Sequence, residues 1–352
     1  MANLETQILD NIIDKSRRKM LTLGGAAVAG LALAATTREA HAATTYSDSD
    51  ILNFALNLEF LEANFYYLAA FGCTIDKPNT AAINAGAPSA GIPITGSVGT
   101  TGTVTATGTT KVPFGTDVTI ASYCNETAIE EGKHVLFLQA ALGSAAVAQP
   151  AINLDQAAGG AWPTLATAAL GAGGATFSPY TSDLNFLVGA YVFEDVGVTA
   201  YHGAASLLTV SGNLSAAAGI LAVEAYHAGL VRTSITLNDP NATGIGAISG
   251  SISTLRASLA KAGLLGAAAS AYDANPDDYG TANTTVSIGG SGYPATRIVD
   301  ADPTNEYAFA RNTTQVLNIV TGGGAVSGTT VVSPAKGVFF PAGMNAGPNG
   351  FK

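Results

Sequence analysis

Two of the histidines in this chain follow a glutamate by three positions, in Glu131-Gly132-Lys133-His134 and Glu224-Ala225-Tyr226-His227. Residues i and i+3 of a helix lie one above the other on the same side, so a carboxylate and an imidazole spaced this way can ligate one metal ion or bridge two. Both pairs fall on helical stripes. From about 117 to 142 the stripe runs Cys124, Ala128, Glu131, His134/Val135 and Leu138, and from about 213 to 235 it runs Ile220, Glu224, His227 and Val231. Two further segments, about 50 to 71 and 182 to 208, set Glu59 and Glu194 in stripes with Leu52, Leu56, Ala63 and Tyr66 and with Leu187, Tyr191, Val198 and Tyr201. A stripe that faces a core should be apolar throughout, because a buried unpaired carboxylate costs on the order of several kcal/mol unless it is neutralised, paired or bound to metal. Two single Glu and two Glu-x-x-His pairs, one element per helix, form the ligand set of a dinuclear iron or manganese site inside a four-helix bundle, where two dications offset the desolvation of the acids. The expected metal ligands are Glu59, Glu131, His134, Glu194, Glu224 and His227.

The spacing is compatible with an internal duplication. Glu194 and Glu224 are 30 positions apart and Glu59 and Glu131 are 72 apart, and removing a Gly/Thr-rich insertion, about 74–116, brings the two spacings nearly level. The third and fourth helices are joined by only about 209–212 and must be antiparallel neighbours, whereas 143–181 is long enough to cross the bundle. After Asp239-Pro240 the chain changes character, with a helix expected at about 253–272, β-like runs at 284–288 and 326–340 and a short helix within 305–320. The expected organisation is a bundle over 43–240 and an irregular, partly β C-terminal extension over 241–352 that wraps it and carries no chemistry.

The first 42 residues read as a signal peptide. Ser16-Arg17-Arg18-Lys19-Met20-Leu21 is a twin-arginine motif, followed by an apolar stretch from Leu21 to Ala35 and a small-x-small site at Ala40-His41-Ala42. That apolar stretch is shorter than the ~20 residues needed to span a bilayer, so cleavage before Ala43 and no stable membrane span thereafter are expected. The protein would be periplasmic or secreted. Twin-arginine export carries folded proteins, which suits a cofactor inserted in the cytoplasm. The net charge of −10, with no Lys/Arg cluster beyond the N-terminus, excludes a nucleic-acid surface, and charged residues at 11% against 47% hydrophobic describe a folded chain.

The segment Glu59-Phe60-Leu61-Glu62-Ala63-Asn64-Phe65-Tyr66 resembles the first-helix motif of bacterioferritins, in which a ligand Glu precedes a Tyr by seven positions; the match assigns Glu59, not Glu62, as the ligand. Leu56 to Tyr66, Phe193-Glu194-Asp195-Val196-Gly197-Val198-Thr199-Ala200-Tyr201 and Ala222-Val223-Glu224-Ala225-Tyr226-His227-Ala228-Gly229 are similar to the desiccation-related, ferritin-like-domain proteins of bacteria and plants. The resemblance covers about 50–235, more weakly 315–320 and 339–343. It implies a mainly α fold, a ferritin-like four-helix bundle, while the long insertion argues against a storage cage.

Other residues carry plainer expectations. Glu62, one turn from Glu59, is either close to the site or a half-exposed surface acid, and Glu126 and Glu130 are expected to be solvated. His202 lies off the Glu194 face, and Tyr66 is a core residue or a ligand's hydrogen-bond partner. Cys73 and Cys124 flank the insertion where antiparallel helix ends meet, which leads to the expectation of a disulfide, the alternative being two buried thiols. Two function classes follow. One is a dinuclear iron or manganese protein that oxidises its metal with dioxygen or peroxide in stress defence. The other is a non-catalytic structural or desiccation-protective protein on the same fold. Oligomeric state is left open.

Overall fold

The four carboxylate-bearing segments are helices in the computed structural model, which describes residues 46–77, 91–115, 118–264, 277–281, 283–327, 330–331 and 336–346. They are α1 (Asp48–Phe71), α2 (Val118–Leu142), α4 (Asp183–Ala205) and α5 (Ser211–Asn238), each within about three residues of its expected bounds. The signal peptide expected over 1–42 lies outside the described residues.

Local chemistry sets the ends. Ser47 and Asp50 form a reciprocal capping box at the start of α1, and Gly72, at φ +76°, closes it with its N–H on the Leu68 and Tyr67 carbonyls, a left-handed turn that favours glycine. Ser182 caps α4 through the Asn185 N–H. Asp48 accepts hydrogen bonds from Thr209 N, Val210 N and the Asn213 side chain, which ties the start of α1 to the start of α5. Asn53, early in α1, donates to Ala145 O beyond the end of α2. Thus α1 and α5 run one way and α2 and α4 the other. The connection over 143–181 therefore crosses the bundle, as its length suggested, and it carries an additional helix, α3 (Ala161–Leu170).

The described part of the insertion, 91–115, runs beside this crossover. Its strand β1 (Val104–Thr105) pairs in parallel with β2 (Ile152–Asn153), and Ser97 N and Gly102 N donate to Ala146 O at 3.0 Å and Gln149 O at 2.8 Å. A Cβ on Gly96 would lie 1.9 Å from Val147 O, so this approach requires glycine. The cover buries α1 on nearly every side. Its outward asparagines are consequently interior yet satisfied: Asn53 bonds Ala145 O and Val147 N, Asn57 bonds Asn345 on both main-chain atoms, and Asn64 bonds Gln149.

Beyond the bundle, α6 (Ile245–Ala262) starts eight residues earlier than expected. Asp239 folds back and accepts from the Thr243, Gly244 and Gly246 N–H groups, supplying the cap that the glycine-rich start lacks. The stretch 265–276, into which that helix was expected to run, lies outside the described residues. A hairpin of β3 (Asn283–Ile288) and β4 (Ser291–Thr296) turns at Gly289-Gly290, and α7 (Thr313–Val320) starts at an Asn312/Gln315 capping box. A short β5 (Val326–Ser327) and β6 (Thr330–Val331) pair follows. Helix α6 packs on α3, α4 and α7, and the described residues from Tyr46 onward form one compact unit. By length and composition α5 is apolar enough to cross a membrane, but its buried face carries Glu224, His227 and Arg232 into the bundle.

Candidate metal centre

The antiparallel pairing of α1 with α4 sets two copies of one pattern against each other. Tyr66 lies seven residues after Glu59, and Tyr201 seven after Glu194. Tyr66 donates to Glu194 Oε1, and Tyr201 donates to Glu59 Oε1. The other two helices point Glu131/His134 and Glu224/His227 into the same interior. His134 Nδ1 lies 3.2 Å from Glu59 Oε2, 3.5 Å from Glu131 Oε2 and 3.7 Å from Glu224 Oε1. His227 Nδ1 lies 3.0 Å from Glu131 Oε1 and 3.4 Å from Glu194 Oε2, while its Nε2 meets Glu130 Oε2 at 2.7 Å.

All six expected residues are therefore brought together, and they divide into two sets. Glu59, Glu131, His134 and Glu224 offer ligand atoms within 4.8 Å of one another, as do Glu131, Glu194, Glu224 and His227. Glu131 and Glu224 belong to both. Their four carboxylate oxygens, Glu194 Oε2 and His227 Nδ1 are buried without a hydrogen-bond partner. Native interiors rarely leave such atoms unpaired, and a cluster of six converging on one spot fits cation ligation.

The electrostatics agree. Burial raises Glu59 to about 7 against the pull of His134, and burial followed by the charge of Glu131 lifts Glu224 well above the carboxylate range. Burial also raises Glu194 despite His227. Glu131 is the exception: burial works upward, but His134 and His227 outweigh it and hold the group low. Burial works downward on His134, yet Glu59 and Glu131 carry it up to about 12. Burial also works downward on His227, and Glu194 and Glu130 raise it well above the usual imidazole range.

Several expectations change. Glu62 is buried, and the charges of Glu131, Glu59 and Glu194 add to burial in raising it, so it lies within the field of the cluster and is not a surface acid. Glu130, expected to be solvated, reaches around α2 to His227 Nε2, which turns Nδ1 toward the carboxylates. Glu126 is exposed as expected. His202 is away from the cluster, with Nδ1 3.1 Å from Phe309 O. The expected disulfide is absent: Cys124 shares the inward face of Glu131 and is fully buried, whereas Cys73 follows the Gly72 turn half-buried, and both are free. The role of Tyr201 was missed, although its spacing from Glu194 repeats that of Tyr66 from Glu59.

The C-terminal segment also does more than cover. On α4, Asp195 follows Glu194 and meets Arg232 Nε and the Arg256 guanidinium, each at 2.8 Å. Arg256 continues to Asp278, and Arg311 joins Asp278 to Asp277, each at 2.8 Å. Asp195, Asp278 and Asp300 are close enough to hold a cation, but arginines already fill that role. Burial opposes ionisation of Asp195, and Arg232 and Arg256 nevertheless hold it at about 2.

Comparison with known proteins agrees with this arrangement. The chain is 32% identical over 190 residues to a desiccation-related protein, PCC13-62, of Craterostigma plantagineum, a match that covers 53% of this chain and 52% of that protein, so the chain spans about half the length of this relative. No solved structure matches. Residues 47–237, which include all four bundle helices up to the last residue of α5 but one, match the ferritin-like domain, and the chain belongs to that family.

Proposed function

We propose that the protein is an exported ferritin-like protein that binds two iron or manganese ions between its four bundle helices and uses them to reduce dioxygen or peroxide in stress defence. The observation that supports this most is the pair of shared carboxylates, Glu131 and Glu224, with four buried oxygens free of hydrogen bonds between the two four-residue sets. Glu59 and His134 would hold one ion, Glu194 and His227 the other, and Glu131 and Glu224 both. Bound, the ions would supply two electrons, carrying dioxygen and two protons to hydrogen peroxide, or hydrogen peroxide and two protons to two waters.

The chain's own groups prepare this chemistry. Tyr66 and Tyr201 hold the outer carboxylates at Oε1, leaving Oε2 of Glu59 and Glu194 facing the histidines. Glu130 fixes the His227 ring. Burial excludes bulk water from the site. A second reading, a non-catalytic desiccation- or stress-protective protein, draws on the similarity to the plant desiccation-related protein, and the metal would then serve as a staple. Anaerobic reconstitution with Fe(II), followed by dioxygen or peroxide, separates the two. Oxidation faster than that of Fe(II) in buffer supports the first reading. Bound metal that oxidises no faster leaves only the second.

A further inference from the structure

We propose that the groove between α5 and residues 298–300 binds a small amine, with its ammonium group on the Asp300 carboxylate and its hydrocarbon body along the apolar walls. The groove has a volume of about 420 Å³, the size of a small-molecule site. Its walls include Val198 of α4, Tyr226 and Leu230 of α5, and Ile298 and Val299, and its charged residues are Asp195, Arg232 and Asp300. None of the six metal-centre residues lines it.

The charged part of the groove is one cation short. Among the described residues, the buried network sets four aspartates, Asp195, Asp277, Asp278 and Asp300, against three arginines, Arg232, Arg256 and Arg311. Asp195 pairs with Arg232 and Arg256, Asp278 with Arg256 and Arg311, and Asp277 with Arg311, each at 2.8 Å. Asp300 is left at the edge. Its ion-pair contact is Arg232 Nη2 at 3.8 Å, its Oδ1 accepts from Tyr279 N at 2.8 Å, and its Oδ2 has no hydrogen-bond partner although the residue is only 8% exposed. The Arg297 guanidinium lies instead over the Tyr279 ring, 4.5 Å from its centroid. Burial, followed by the charges of Asp278 and Asp195, lifts Asp300 well above the carboxylate range against Arg232 and Arg256, as befits a carboxylate without a full partner.

The surroundings select the guest. With Oδ1 engaged by the backbone, one oxygen remains, which suits the point charge of an ammonium better than the two-pronged guanidinium. A metal ion would require about six oxygen ligands, and the oxygens of Asp195 are already held by arginines. Arg232 has its nitrogens on Asp195, the Tyr191 hydroxyl and the Tyr279 and Arg297 carbonyls, and Thr233 donates its hydroxyl to Gly229 O, so neither draws an anion into the groove. The apolar body of the amine would cover Tyr226, Ile298 and Val299, all three exposed.

Calorimetric titration of the purified protein with n-hexylammonium, and with 1-hexanol as its uncharged counterpart, tests the site. One hexylammonium should bind per chain, with or without metal in the bundle, and roughly tenfold or more tighter than hexanol, the increment of a charge-assisted hydrogen bond. Asp300→Asn keeps the shape and the acceptor for Tyr279 N while removing the surplus charge, so it should be at least as stable as wild type and bind the two probes equally. Ala225→Phe, at an exposed position of α5 on the groove wall, should weaken both probes without touching Asp300. The proposal is overturned if wild type shows no saturable hexylammonium binding, if hexanol binds as tightly, or if the ammonium preference survives Asp300→Asn. It is equally overturned if Asp300→Asn unfolds the protein, which would show that Asp300 is not short of a partner, or if Ala225→Phe weakens neither probe.

Discussion

Tyr66→Phe should change the sign of its effect on stability according to what stands at position 194. In metal-free protein, Glu194 Oε1 accepts from Tyr66 and Oε2 has no hydrogen-bond partner, lying 3.4 Å from His227 Nδ1. Tyr66→Phe strands Oε1 as well, and a buried acceptor left unpaired costs about 1–3 kcal/mol. Glu194→Leu removes both oxygens and buries an apolar side chain, worth roughly 1.5–3 kcal/mol, but strands the Tyr66 hydroxyl at a cost of about 1–3 kcal/mol. In that second background Tyr66→Phe deletes the stranded hydroxyl and recovers about the same 1–3 kcal/mol. The coupling between the two substitutions should therefore reach the upper part of the usual range for contacting residues, about 3 kcal/mol. Urea unfolding of the four metal-free proteins measures it: with a slope of about 2–3 kcal/mol per molar, a 2 kcal/mol change moves the midpoint by about 1 M or slightly less. If Tyr66→Phe destabilises by the same amount in both backgrounds, the Tyr66–Glu194 bond is not the interaction described.

Three further outcomes are expected. Metal-free stability should fall as pH rises: Glu59, raised from 4.5 to about 7, keeps a proton that the unfolded chain releases above pH 4.5, and His134, raised from 6.5 to about 12, keeps one released above pH 6.5. Thermal melts at pH 5, 7 and 9 should show a decreasing Tm and a gain from Mn(II) that grows with pH; a Tm that climbs from pH 5 to 9 without metal would contradict this. Glu130→Ala should leave the fold intact, because that side chain is partly exposed, and weaken Mn(II) at one of the two sites by about 10–100-fold in a competition titration. Arg256→Met should cost about 3–5 kcal/mol in chemical unfolding, since it leaves Asp195 and Asp278 with one fewer buried partner. A loss below about 1 kcal/mol would show that the network is not coupled to stability.

The parts of this fold that were legible in the sequence are those whose determinants are local. Carboxylates at the centre of apolar stripes marked the bundle helices, and the i, i+3 spacing of Glu131/His134 and Glu224/His227 put four of the six cluster residues on inward faces. Tyr201 was equally available through its spacing from Glu194. Glu130 was not, because its contact depends on a long side chain reaching off its own stripe to a ring on another helix. The start of α6 depended on Asp239 folding back across a loop, and the buried asparagines of α1 on covering segments nearly 300 residues away in the case of Asn345. The Arg232–Asp195–Arg256–Asp278–Arg311 chain joins two bundle helices to loop and extension residues that share no periodicity, so it is visible only once the chain is folded.

The most direct test of the account is metal counting on protein recovered after export and reconstituted anaerobically with Mn(II) or Fe(II), with excess metal removed before elemental analysis. Two ions per chain are expected for wild type. Because Glu131 lies in both four-residue sets, Glu131→Ala should lower both occupancies together, whereas His134→Ala should lower one. A well-folded wild type that retains no metal, or a Glu131→Ala variant that retains two ions per chain, would contradict the account.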